Sequence, residues 1–103
     1  MHARIVRYED VSPDDWEIGR NWFLEDYLPI ARQTDGFSGA YLFHDDERKC
    51  TVSVTLWADA ETAAASGTAV QQHLDAWEGM TGKAGKVETF EVVFADLPTR
   101  AVS

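Results

Sequence analysis

Cys50-Thr51-Val52-Ser53-Val54-Thr55-Leu56-Trp57 alternates apolar and polar side chains without a break up to Trp57. Cys50, Val52, Val54 and Leu56 fall on one side of an extended chain, and Thr51, Ser53, Thr55 and Trp57 fall on the other. A period of two marks a β-strand. Before it, Asp45-Asp46-Glu47-Arg48-Lys49 reads as a polar hairpin loop, and Phe37 to Asp45 as the strand that precedes the turn. After it, Asp59 caps a helix that runs from Ala60 to about Gly79. Ser66-Gly67 interrupts that helix, because glycine costs roughly 1 kcal/mol against alanine, and two shorter pieces bent there are predicted. Val70, Leu74 and Trp77 line the inner face of the second piece, with His73 on its flank. Beyond Thr81-Gly82-Lys83-Ala84-Gly85, Lys86 to Ala95 reads as the last strand.

On the N-terminal side, residues 3–9 read as the first strand. Ser12-Pro13-Asp14-Asp15 is a helix start: a capping hydroxyl, a proline for the first helical position, and acids at the positive end of the dipole. That helix extends to about Gln33, with Trp16, Phe23, Tyr27, Ile30 and Ala31 on one face, Leu24 at its edge and Trp22 pointing nearly the other way. Pro29 predicts a kink or break just before it, and Asp35-Gly36 stops the helix. The order β-α-β-β-α-β implies an α+β, ferredoxin-like domain, with two helices on one face of a four-stranded antiparallel sheet. It occupies residues 1–95, followed by a loose tail at 96–103. The strands are oily on both alternations, Val6 and Tyr8 against Ile5, and Phe90, Val92 and Phe94 against Val87 and Val93. Helices cover one face, and the cheapest cover for the other is the sheet of a second copy, so a homodimer is predicted.

Composition narrows the function. The 103 residues fit one domain, and 45% hydrophobic with 26% charged residues describes a globular chain. A net charge of −9 disfavours nucleic acid and anionic membranes as partners. Cys50 is the single cysteine, which excludes an intrachain disulfide or a cysteine zinc cluster. Met1-His2-Ala3-Arg4-Ile5-Val6-Arg7 begins no long apolar run, so neither a secretory signal nor a membrane span is expected, and the cytoplasm is the default location.

Asp35-Gly36-Phe37-Ser38-Gly39-Ala40-Tyr41-Leu42-Phe43, a hairpin, and Val54-Thr55-Leu56-Trp57-Ala58-Asp59-Ala60-Glu61 resemble the core pattern of the antibiotic-biosynthesis-monooxygenase-like proteins of the dimeric α+β barrel superfamily. The resemblance spans roughly residues 3–95. It implies a dimeric barrel and a choice among cofactor-independent oxygenases of polyketide quinones, quinol monooxygenases, haem-degrading enzymes and members without known activity. The haem-degrading members carry an Asn on the first strand and a Trp and a His on the second helix. Here the first strand lacks Asn, the Trp position falls at Ser66, and the His position falls at Ala76, with His73 one turn early. That activity is not expected.

His73 is the only histidine placed on a helix, and a neutral imidazole there could take a proton from a phenol or hydroquinone so that the anion reacts with O₂. His44, beside Asp45 and Asp46 at a strand end, reads as solvated, and these consecutive side chains diverge too much to hold a metal. Gly36-Phe37-Ser38-Gly39 lacks the lysine and the following helix of a phosphate loop. Trp22, Trp77, Tyr41, Phe43 and Trp57 are expected to line a cleft between helices and sheet suited to a flat aromatic molecule, with Arg7 meeting a carboxylate or phenolate. Trp57 and Trp77 serve equally as core, and Arg7 as a solvated or dimer-paired charge. The expectation is a small-molecule-binding homodimer needing no cofactor and no metal. It is either a monooxygenase of quinol or polyketide-type substrates, with His73 as base, or a non-catalytic binding or structural domain.

Overall fold

In a computed structural model that describes residues 1–96, the chain forms β1 (His2–Tyr8), α1 (Pro13–Asn21), a π-helical segment (Trp22–Tyr27), α2 (Leu28–Arg32), β2 (Phe37–Asp45), β3 (Cys50–Trp57), α3 (Ala60–Ala65), α4 (Gly67–Thr81) and β4 (Lys86–Glu91). The four strands make one antiparallel sheet in the order β2-β3-β1-β4. All the helices lie on one face. The ferredoxin-like α+β architecture is as the element order implies. Of the C-terminal tail, only Asp96 is among the described residues.

Local chemistry sets the boundaries. The Ser12 hydroxyl accepts from the Asp15 N–H at 3.1 Å, and Pro13 opens α1. Asp59 accepts from the Thr62 N–H at 2.8 Å while the Thr62 hydroxyl accepts from the Asp59 N–H at 3.3 Å, a reciprocal cap on α3. Gly36 sits at φ +86°, and a Cβ there would lie 2.6 Å from Thr62, so this turn requires glycine twice over. Opposite Trp57 and Leu56 the register slips between Phe37 and Gly39, a bulge that starts β2.

Two boundaries differ from expectation. Pro29 does not break the first helix. Proline lacks the N–H and crowds the carbonyl one turn back, and the chain absorbs this by widening to π-helix over Trp22–Tyr27, where the Leu28 N–H reaches the Phe23 carbonyl. The extra residue in that turn rotates the helix face. Phe23, Tyr27 and Ala31 stay buried, Ile30 turns out to 62% exposure, and Trp22 turns inward. The last strand ends at Glu91, short of Ala95, because Glu91 already pairs with His2 at the start of β1. Only the Val92 N–H finds one more partner, the Met1 carbonyl at 2.8 Å.

Which face the helices cover was not evident from the alternation. They lie over Thr51, Ser53, Thr55 and Trp57, with Arg4, Val6 and Tyr8 beside them on β1. Trp57, at 1% exposure, is the largest fully buried side chain among the described residues, and it packs with Phe23, Tyr27, Ala31, Ala63, Val70 and Leu74. The oily row Val52, Val54 and Leu56 faces away, together with Ile5, Tyr41, Phe43 and Phe90. No helix among the described residues is long and apolar enough to cross a membrane.

Candidate ligand site between helices and sheet

The four buried polar or charged side chains among the described residues are Arg4, Thr51, Ser53 and Thr55. All stand on the helix-facing side of the two central strands. Burying polar atoms is unfavourable unless each is bonded, so a polar floor under a helix layer calls for a reason. Thr55 accepts from Trp57 Nε1 at 3.0 Å. Thr51 Oγ1 lies 2.8 Å from His44 Nδ1, and His44 Nε2 lies 2.7 Å from Asp46 Oδ1. His44 is therefore not simply solvated. Its ring stacks on Trp16 at 4.0 Å with 5° between planes, and its side chain is only 14% exposed.

Arg4 is 94% buried by complement of its 6% exposure. Its guanidinium reaches up to the α3–α4 junction, donating to the Ala63 carbonyl and the Ser66 hydroxyl. The Ser66-Gly67 interruption thus does more than bend the helix: it provides a neutral dock for this cation. Burial pushes the Arg4 pKa down, and the guanidinium still stays charged because its ordinary value is so high. Nearby, the buried Tyr27 hydroxyl has no aligned hydrogen-bond partner. Burial raises its pKa, while Thr55 and the Arg4 charge pull the other way.

Above this floor stands a set of rings. Trp22, turned in by the π-helical segment, lies face to face with His73 at 3.4 Å and 6°. Tyr8 meets Trp77 at 5.1 Å and the edge of His73 at 6.2 Å, and Trp22 stacks on Tyr27 at 5.2 Å. Burial holds the His73 pKa down to about 4, so its imidazole is neutral at physiological pH. Moving a phenolic proton onto so weak a base is uphill by several powers of ten, and the geometry suits His73 better as a stacking wall. Tyr8 is pushed upward, first by burial and then by the neighbouring Tyr27.

Beneath the rings the layer is nearly closed. Two voids of about 30 and 20 Å³ remain, one edged by Tyr8, Trp16, Thr51 and Trp77, the other by Arg4, Tyr27, Ser53 and Thr55, and both touch Trp22 and His73. Each is the size of a water molecule. Ligand-sized room lies outside the stack, in a trough between α4 and the π-α2 stretch. Its two parts, about 300 and 310 Å³, share Tyr27, Ile30 and Gln72.

Of the residues expected at a site, the structure brings Trp22, His73 and Trp77 together. Trp57 borders one end of the trough but is core. Arg7, Tyr41 and Phe43 are not part of this cleft. They project from the opposite face, where Arg7 Nη1 lies 3.5 Å from Cys50 Sγ and Tyr41 stacks on Phe43 at 5.9 Å. Strand parity explains the difference: Arg4 shares the row of Val6 and Tyr8, and Arg7 shares that of Ile5. Arg4, Tyr8 and Tyr27 are the members that sequence reasoning missed. The signal for Arg4 was its place two residues before Val6. Among the described residues, no group of three or more His, Cys, Asp or Glu side chains is placed to hold a metal.

The layer arrangement and site geometry define a ferredoxin-like α+β chain with the fold of the antibiotic-biosynthesis-monooxygenase proteins. A monooxygenase of Streptomyces coelicolor, solved with nanaomycin D bound, superposes at a TM-score of 0.75 with 14% identity, covering 95% of this chain and 92% of its own. A Deinococcus radiodurans protein bearing the name antibiotic biosynthesis monooxygenase gives 0.75 and 15%, over 97% and 100% of the two chains. SnoaB of Streptomyces nogalater, a cofactor-independent oxygenase, gives 0.66 and 13%, over 91% and 94%. No family model and no curated protein matches the sequence. At such identities the likeness is one of fold.

Proposed function

We propose that this chain acts as a homodimer that binds one small, flat aromatic molecule per subunit in the trough beside the Trp22–His73 stack. The observation that carries the reading is the inverted layering. The chain puts hydroxyls and a guanidinium under its helices and sends its oiliest row outward. A polar floor walled by aromatic rings is costly as core and well suited to orienting a planar ligand. The outward row is what a second copy would cover.

A second reading adds oxidation of a quinol or polyketide-type substrate without a cofactor. The fold neighbours named as oxygenases and the cationic floor favour it, since an electron-rich anion reacts with O₂ directly. For an anthrone the balance is one O₂ taken up, a ring CH₂ converted to C=O, and one water released.

Trp22 and Trp77 report on both readings. Titration with anthraquinone-type molecules should quench tryptophan fluorescence saturably, and Trp22→Ala should weaken binding at least tenfold. Oxygen uptake with anthrone, measured on the same protein, separates oxygenase from binder. Absence of saturable quenching with any flat aromatic overturns the proposal.

A further inference from the structure

Resting on the ligand-binding reading above, we propose that the ligand carries an acidic oxygen, and that Arg4 and Tyr27 hold it as an anion while the ring occupies the trough.

Among the described residues, Arg4 has no acidic partner. Its hydrogen bonds go to a carbonyl and a hydroxyl, and the ion pairs among the described residues are His44–Asp46 and Arg48–Asp45. A guanidinium has five N–H donors, so two neutral acceptors leave it short of both bonds and charge. A buried, uncompensated cation is expensive unless something negative completes the site. Tyr27 gives an independent indication. Its hydroxyl is buried with no aligned hydrogen-bond partner among the described residues, and it edges the same 20 Å³ void as Arg4.

Size assigns the parts. A void of 20 Å³ admits one oxygen atom and no ring. Trp22, Tyr27 and His73 border both this void and the 310 Å³ part of the trough, so a ring in the trough can point an oxygen at Arg4 past them. Entry requires the Trp22–His73 stack to give way, and the entering ring replaces the stacking it breaks.

The other groups that face the void permit an anion. Tyr8 and His73 are uncharged there at neutral pH, and Ser53 and Thr55 are hydroxyls. Asp26 lies at the trough and is exposed, where solvent screens it, whereas Arg4 acts through a low-dielectric interior. The other cation of β1, Arg7, is on the opposite face and takes no part.

The test uses 2-hydroxyanthraquinone and its methyl ether, which have nearly the same shape, and the first changes colour on ionising. The bound phenol should ionise at least one pH unit lower than in free solution, and the hydroxy compound should bind at least tenfold tighter than the ether when ionised. Tyr27→Phe and Arg4→Met should each shrink that preference, with far-UV circular dichroism checking the fold. If Arg4→Met fails to fold, the wild-type ionisation shift and Tyr27→Phe still decide. A bound phenol that ionises at higher pH than the free one, or an ether that binds equally well, overturns the anion proposal alone. If neither compound binds, the ligand-binding reading fails as well.

Discussion

His73 sits where its protonation and the packing of the site oppose each other. Its imidazole lies against Trp22 at 3.4 Å, and burial lowers its pKa from 6.5 to about 4. Between those values the unfolded chain binds a proton that the folded chain refuses, so acid favours unfolding there. The stability at stake is fully present above pH 6.5, drains away as pH falls, and is exhausted below about 4. The ring is partly open to solvent, which shrinks the size of the effect without changing its sign. Arg4, Tyr8 and Tyr27, which line the same void as His73, do not change charge in this window. Urea midpoints measured from pH 7 to 4 should therefore fall more for wild type than for His73→Phe, which keeps the stack and removes the titration. Parallel curves for the two proteins would show that the imidazole titrates as an ordinary surface histidine.

At the level of elements, the first helix and the turn after it decide whether a site exists. The turn depends on Gly36. A Cβ there meets Thr62 of α3 at 2.6 Å in addition to the left-handed backbone, whereas Gly82, at φ +73°, has open space around it. Gly82→Ala should cost about 1 kcal/mol, the left-handed penalty alone, and Gly36→Ala should cost about 3 kcal/mol or more, strain plus displacement of α3. Denaturant unfolding of the two variants checks this, and equal costs would remove the argument that the Gly36 turn packs closely against α3. The Asp35-Gly36 stop, the Asp59 cap and the Ser66-Gly67 interruption were all legible, because each rests on the conformational habits of the residue itself. The π-helical segment was not. Pro29 announced a disturbance, but whether a helix breaks, bends or widens depends on what its two ends are packed against. That choice moved Trp22 from the outer face to the centre of the site and Ile30 the opposite way. A helical projection at a fixed 100° per residue could place neither. The same limit applies to Arg4 and Arg7: alternation shows that they oppose each other, but not which one the helices cover.

The whole molecule poses the question of its open sheet face. Across it run Tyr41, Val54 and Ile5 in one register row, and Phe43, Val52 and Arg7 in the next. Tyr41, Phe43 and Phe90 are 46, 53 and 50% exposed in the single chain, and beyond β4 Val93 and Phe94 reach 90 and 82%. A contiguous surface of this kind is poorly tolerated in water. The two faces are connected through the sheet that they share. If the outward row of β3 is the sealed one, its inward row need not be oily, and Thr51, Ser53 and Thr55 become affordable under the helices. Dimerisation would thus be what allows the ligand floor to be polar. Val54 is the place to test it, because it lies between Tyr41 and Ile5 and makes no contact with the site. Val54→Arg puts a charge where pairing would strip its water, at a cost of several kcal/mol to association, while a lone subunit can still solvate it. Light scattering at micromolar concentration should give wild type twice the chain mass of 11.5 kDa, and the variant 11.5 kDa with unchanged far-UV circular dichroism. A wild-type protein that stays at 11.5 kDa would mean that this face is bare in solution, and the account of the polar floor would lose its basis.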